Sequence, residues 1–177
     1  MVNMIDETFI GSAINRNYKD TPHILFDILG LTKMELHESI NLADAATRGY
    51  LGVYSPSLAL AFIGSGSIIF GLQSFADDQF VDKLAREFEV LSFYINPAEE
   101  INTFRILRGG KCIRDNFSND QFQEIGEPLE IEKIEKDPTK LIINLLSRHL
   151  RVDFLKEFLK CDILIFKHRK SFLGKFF

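Results

Sequence analysis

The chain predicts an α+β domain with a mainly antiparallel sheet of about five to seven strands and helices packed on it. Three observations lead there. Residues 58–63 and 67–72 are near-continuous apolar runs flanking Gly64-Ser65-Gly66, a hairpin signal. Residues 101–107 and 111–117 form a second such pair across Gly109-Gly110. Between and after them lie segments of helical spacing, with Phe80, Val81, Leu84 and Phe88 on one face and Asp82, Lys83, Arg86 and Glu87 on the other.

The elements follow in order. Residues 1–22 are mixed and polar, and are expected to cover the domain loosely. Ile24, Leu25, Ile28 and Leu29 predict a first helix from His23 that Gly30 ends. Thr32 and Glu35 form a Thr-x-x-Glu capping box, which predicts a second helix over 33–47 with Leu36, Ile40 and Ala43 inward. Residues 49–54 read as a short strand ended by Pro56. The hairpin runs of 58–72 imply strands buried on both faces. A helix over 78–88, a strand over 90–95, a turn at Asn96-Pro97 and the second hairpin follow. Residues 118–138 are polar and acidic, 141–150 and 152–159 helical, and 161–166 a late strand. No repeat or linker divides the 177 residues, so residues 1–177 read as one domain. Its core should include Phe62, Ile69, Phe70, Leu84, Phe88, Leu91, Phe93, Leu145 and Ile165.

Composition narrows the function. Hydrophobic residues make up 46%, enough for a core and against global disorder. Phe is frequent at 17 residues and Trp is absent; rings not needed in the core would mark an interface. The net charge of −4 argues against a nucleic-acid binder, which needs a basic face. The 33–47 segment also carries Glu35, Glu38 and Asp44, which would repel phosphate. No basic-then-apolar leader opens the chain, and no apolar run reaches the ~20 residues of a membrane span, so a cytoplasmic protein is expected. Cys112 and Cys161 lie in apolar contexts and are expected to be reduced, structural thiols.

Catalytic devices are hard to find. Gly64-Ser65-Gly66-Ser67 lacks the Lys-Ser/Thr of a phosphate loop and leads into a strand, not a helix. No Gly-x-Ser-x-Gly elbow and no Cys-x-x-Cys occur. His23, His37, His149 and His168 are scattered, and His37-Glu38 lacks a second histidine at position 41. No cofactor or metal is called for. A Cys112–His pair remains conceivable only through the fold.

Two stretches concentrate charge. Asp120, Glu124, Glu127, Glu130, Glu132, Glu135 and Asp137 face only Lys133 and Lys136, a local net charge of −5. Such a run is commonly a solvated segment; its functional reading is a surface for a basic protein partner. Residues 166–177 reverse the sign and add Phe172, Phe176 and Phe177, too apolar to leave together in water.

The order of elements over 58–132 is familiar. It includes Lys83-Leu84-Ala85-Arg86-Glu87-Phe88, the strand Phe93-Tyr94-Ile95 and Arg108-Gly109-Gly110-Lys111. Arg114-Asp115-Asn116-Phe117 and Gly126-Glu127-Pro128-Leu129-x-x-Glu132 follow. It resembles small uncharacterised bacterial α+β proteins of the toxin-immunity type. That resemblance implies a non-catalytic inhibitor of a cognate, basic toxin or enzyme and brings no catalytic residue with it. The partner-binding candidates are Asp120, Glu124, Glu127, Glu130, Glu132, Glu135, Phe172 and Phe176. The alternatives are a small enzyme with a dispersed site, or a structural or adaptor protein binding through its C-terminal tail. A homo-oligomer stays open.

Overall fold

The computed structural model describes residues 8–52, 57–71, 78–117 and 123–169. Its strands are β1 (Phe9–Ile14), β2 (Met34–Asn41), β3 (Leu58–Ile63), β4 (Gly66–Phe70), β5 (Val90–Asn96), β6 (Ile101–Arg108), β7 (Lys111–Asp115) and β8 (Asp162–His168). Its helices are α1 (Pro22–Leu29), α2 (Leu42–Thr47), α3 (Asp78–Glu87), α4 (Glu130–Ile134), α5 (Pro138–Leu150) and α6 (Phe154–Phe158). All eight strands form one antiparallel sheet in the order β2-β8-β3-β4-β1-β5-β6-β7. The α+β class holds, with eight strands in place of five to seven.

The sheet is covered on both faces, because its strands alternate between two apolar sets. Ala13, Ala61, Phe70, Phe93, Phe104 and Ile165 meet α2, α4, α5 and α6 on one face. Ile14, Leu60, Ile69, Val90 and Leu107 meet α1 and α3 on the other. Of the expected core, Phe62 and Phe88 are half-buried and the rest are buried.

The sequence reading went wrong in three places, each for a physical reason. Residues 9–14 are no loose cover: every residue of β1 is buried, and the strand pairs with β4 on one side and β5 on the other. Gly11 is required there, since a Cβ would stand 2.7 Å from the Phe93 ring that crosses it and 3.1 Å from the Ile69 carbonyl. Residues 33–47 are no single helix. Lys33 takes a left-handed φ of 62°, which stops a helix at its first residue. Met34–Asn41 then pairs with β8 across a bulge between Leu36 and Glu38. The helix cap is Asn41 rather than Thr32, its Oδ1 accepting the Asp44 N–H at 2.9 Å. Leu36 and Ile40, four apart, suit either period in sequence, but the bulge between them breaks the alternation: Leu36 is 55% exposed rather than inward, and only Ile40 packs on the core. Finally, residues 49–52 form turns, and the rest of the strand expected over 49–54 lies outside the described residues.

The Gly64-Ser65 turn is structural. The Ser65 N–H and Oγ both donate to the Leu150 carbonyl at the end of α5, at 3.2 and 3.0 Å. A Cβ on Gly66 would lie 2.4 Å from the Ile14 carbonyl oxygen. The hairpin therefore caps a helix, and the Ser65 donors that a phosphate loop would offer are already engaged.

Phe70 ties this core together. Its ring stacks on Phe158 at 5.6 Å and meets Phe93 edge-on at 6.5 Å. Phe70→Ala should lower stability by ~3–5 kcal/mol through lost contacts and a residual cavity. A urea midpoint equal to that of the wild type would place Phe70 outside the core.

Candidate functional site

The acidic stretch is organised by one buried cation. Arg114 lies on β7, the last strand of the sheet, and is 2% exposed. A buried guanidinium is tolerated only when paired and fully hydrogen-bonded. Its Nε and Nη2 donate to the two oxygens of Glu132 at 2.9 and 2.5 Å, a bidentate pair. Nη2 also donates to Glu124 at 2.8 Å, and Nη1 to the carbonyls of Asp115, Ile125 and Gly126 at 3.1–3.3 Å. Glu132 in turn accepts the Leu129 N–H at 2.7 Å and so caps α4. Burial alone would raise the Glu132 carboxyl; the Arg114 guanidinium and the Leu129 N–H outweigh it and hold the group below the usual carboxylate range.

The backbone closes the same arrangement. Asp115 and Ile125 exchange both N–H···O bonds at 3.0 Å, an isolated bridge that seals part of the β7 edge. Gly126, at φ +78°, crosses the strand where a Cβ would come within 2.2 Å of the Ile113 carbonyl oxygen. The stretch Gly126-Glu127-Pro128-Leu129-x-x-Glu132 is thus the segment that wraps Arg114.

The candidate residues separate accordingly. Glu124 and Glu132 meet on Arg114, with Glu124 still 47% exposed and Glu132 11%. Glu127 and Glu130 project into solvent, Glu130 beside Lys133. Glu135 is half-buried and accepts the Asp137 N–H at 3.0 Å. Asp120, Phe172 and Phe176 lie outside the described residues. Ile125 at 47% and Ile134 at 81% are exposed within the same stretch, and Ile113 on β7 is exposed at 44%. None of the expected surplus Phe appears among the exposed large hydrophobics of the described residues. Sequence reasoning missed both the isoleucines and the role of Arg114. An arginine inside a strand pattern, with acids ten and eighteen residues on, is compatible with that role but does not by itself show the burial.

Two cavities flank Arg148 on α5. One, of about 190 Å³, is lined by Glu89, Leu91, Ile106, Leu145, Arg148 and His149. The other, of about 340 Å³, is lined by Ile131, Ile134, Glu135, Asn144, Ser147 and Arg148. In the first, His149 lies 3.1 Å from the Ala13 carbonyl through Nε2 and 3.7 Å from Glu89 through Nδ1. A carbonyl only accepts, so Nε2 carries the proton. Glu89 also receives Arg108. The Nε2 hydrogen bond makes the neutral His149 a fastening between α5 and β1; Nδ1 can donate to Glu89, in the α3–β5 connection, only once the ring is protonated. Burial depresses its pKa, against the pull of the Glu89 carboxylate and the Ala13 carbonyl.

The thiols are poor nucleophiles. Burial raises both, Cys161 to about 12, and Asp115 adds to the effect at Cys112. They pack on opposite faces of the sheet and form no disulfide. Among the described residues, no three His, Cys, Asp or Glu side chains come together to hold a metal, and no helix is long and apolar enough to cross a membrane. No known family, curated protein or solved structure matches the chain.

His149 yields a pH prediction. Unfolded, it takes up a proton near its ordinary 6.5; folded, only at lower pH. Stability is therefore full above pH 6.5 and should fall as pH drops through the folded pKa, because the unfolded chain binds the proton first. The lowered carboxylates Glu38, Glu132 and Asp137 act only below their ordinary values of 4.5, 4.5 and 3.8. His149→Gln keeps a donor for Ala13 and removes the titration. Urea midpoints should therefore decline below pH 6.5 in the wild type and stay level in the variant down to about pH 5. Parallel curves for the two proteins would remove His149 as the source.

Proposed function

We propose that this protein is a non-catalytic binding protein that neutralises a basic protein partner, in the manner of an immunity protein against a toxin or similar enzyme. The observation that carries the reading is the surface assembled on Arg114. Glu127 and Glu130 project from a segment tied to the sheet edge, with Ile125 and Ile134 exposed among them. Apolar side chains ringed by charge are the anatomy of a protein interface. An acidic rim speeds encounter with a basic partner and selects it. Enzymes that act on nucleic acid are basic because their substrate is not, so they are the natural class of partner.

The enzyme alternative is weaker. Its best ground is the cavity beside Glu89 and His149, where Glu89 is held by Arg108 and both nitrogens of His149 face the protein itself. The C-terminal tail reading rests on residues outside those described.

Glu127→Lys with Glu130→Lys tests the proposal. Both residues are exposed, and Glu132 is left alone because it supports Arg114. With a partner captured from the source organism, association at low salt should slow by about tenfold and lose its dependence on ionic strength. The urea midpoint should not move. Equal association rates for wild type and variant would remove the acidic surface from the contact.

A further inference from the structure

We infer that the cavity between α4 and α5 receives an aromatic side chain with a polar tip, a tyrosine, from the partner that the acidic surface attracts; this rests on the binding reading above. Ile134 stands at the cavity and is 81% exposed. Scattered surface apolar residues are ordinary. This one shares its short helix with Glu130 and borders a concavity, where interface anchors concentrate.

The lining selects the occupant. Ile131 and Ile134 supply an apolar wall. Arg148 is exposed and has no ion pair or hydrogen bond among the described residues, and the same holds for the Asn144 carboxamide. Ser147 is already engaged, donating to the Ile143 carbonyl and accepting the Phe154 N–H. An aliphatic side chain would cover the guanidinium and the carboxamide without pairing either, at a desolvation cost. A lysine or arginine would meet the Arg148 charge. A carboxylate would satisfy Arg148 but leave the isoleucine wall unused and face Glu135. A phenol uses every surface: its ring packs on Ile131 and Ile134, its face accepts the Arg148 cation, and its hydroxyl reaches a carboxamide or carboxylate. At about 340 Å³ the cavity has room for one such ring. The acids beside it complement the basic surface that would carry this tyrosine.

The probe is p-cresol, the tyrosine side chain as a free molecule, titrated into the full chain and followed by NMR. Saturable shifts should be confined to Ile131, Ile134, Asn144 and Arg148. 4-Methylcyclohexanol, which keeps the shape and hydroxyl but has no π face, should bind several-fold more weakly. Arg148→Gln should abolish that preference, and Ile134→Ala should weaken both probes. Equal affinity for the two probes, shifts scattered over the surface, or no saturation up to the solubility limit would each overturn the inference. The two readings fail separately. Loss of the p-cresol site with the Glu127/Glu130 effect intact removes only the anchor. A p-cresol site in a chain whose charge reversals leave association unchanged keeps the anchor and removes the acidic rim.

Discussion

β1 holds the sheet together. On one side of it lie β4, β3, β8 and β2, and on the other β5, β6 and β7; among the described residues no other strand pairs across that gap. The constraint is steric as well as hydrogen-bonded. Gly11 leaves the space that the Phe93 ring occupies beside the strand. On the opposite face Ser12 and Ser92 share a fully buried 2.7 Å hydrogen bond, so neither hydroxyl is stranded in the interior. α5 then packs across β1, β5 and β6, and His149 fastens its last turn to the Ala13 carbonyl. Everything at the β7 end of the molecule, including the acidic surface, is positioned through this seam.

The two outer strands are finished differently. β2 leaves its edge to Glu35, His37 and Glu38 and a bulge, devices that discourage pairing with another sheet. β7 is closed by its own downstream chain, through the Asp115–Ile125 bridge and the five-donor grip of Arg114. A buried ion pair of this kind contributes little net stability compared with an apolar replacement, but breaking it on one side is costly. Its consequence here is order. It gives an acidic stretch a defined place on the sheet, so that under the proposed binding function Glu127 and Glu130 are held before a partner arrives.

Local signals were legible and distant ones were not. The β3–β4 and β5–β6–β7 hairpins, α1 with its left-handed Gly30 and α5 could all be read because their partners are sequence neighbours or their own turns. β1 was missed because a polar-looking Gly-Ser-Ala strand owes its burial to β4 and β5, more than 50 residues away. β2 was misread because Leu36 and Ile40 suit either period, and only β8, from the far end of the chain, decides between them. In the acidic stretch the charge was visible. That Glu132 serves the interior and Glu127 the solvent depends on Arg114, whose burial no local pattern announces. The apolar part of the surface lies in isoleucines that look like core residues in sequence.

The central claim is that Arg114 holds the acidic stretch in place on the β7 edge, the arrangement on which the proposed binding rests. Amide hydrogen exchange tests this directly in the wild type and in Arg114→Met combined with Glu132→Gln, which avoids leaving a buried carboxylate unpaired. The account predicts that the Ile125 and Asp115 amides, protected by their mutual bridge in the wild type, exchange at the rate of open chain in the variant. The amides of β1 and β5 should keep their protection, and partner association should weaken. Ile125 and Asp115 amides as slow in the variant as in the wild type, with binding unchanged, would contradict it.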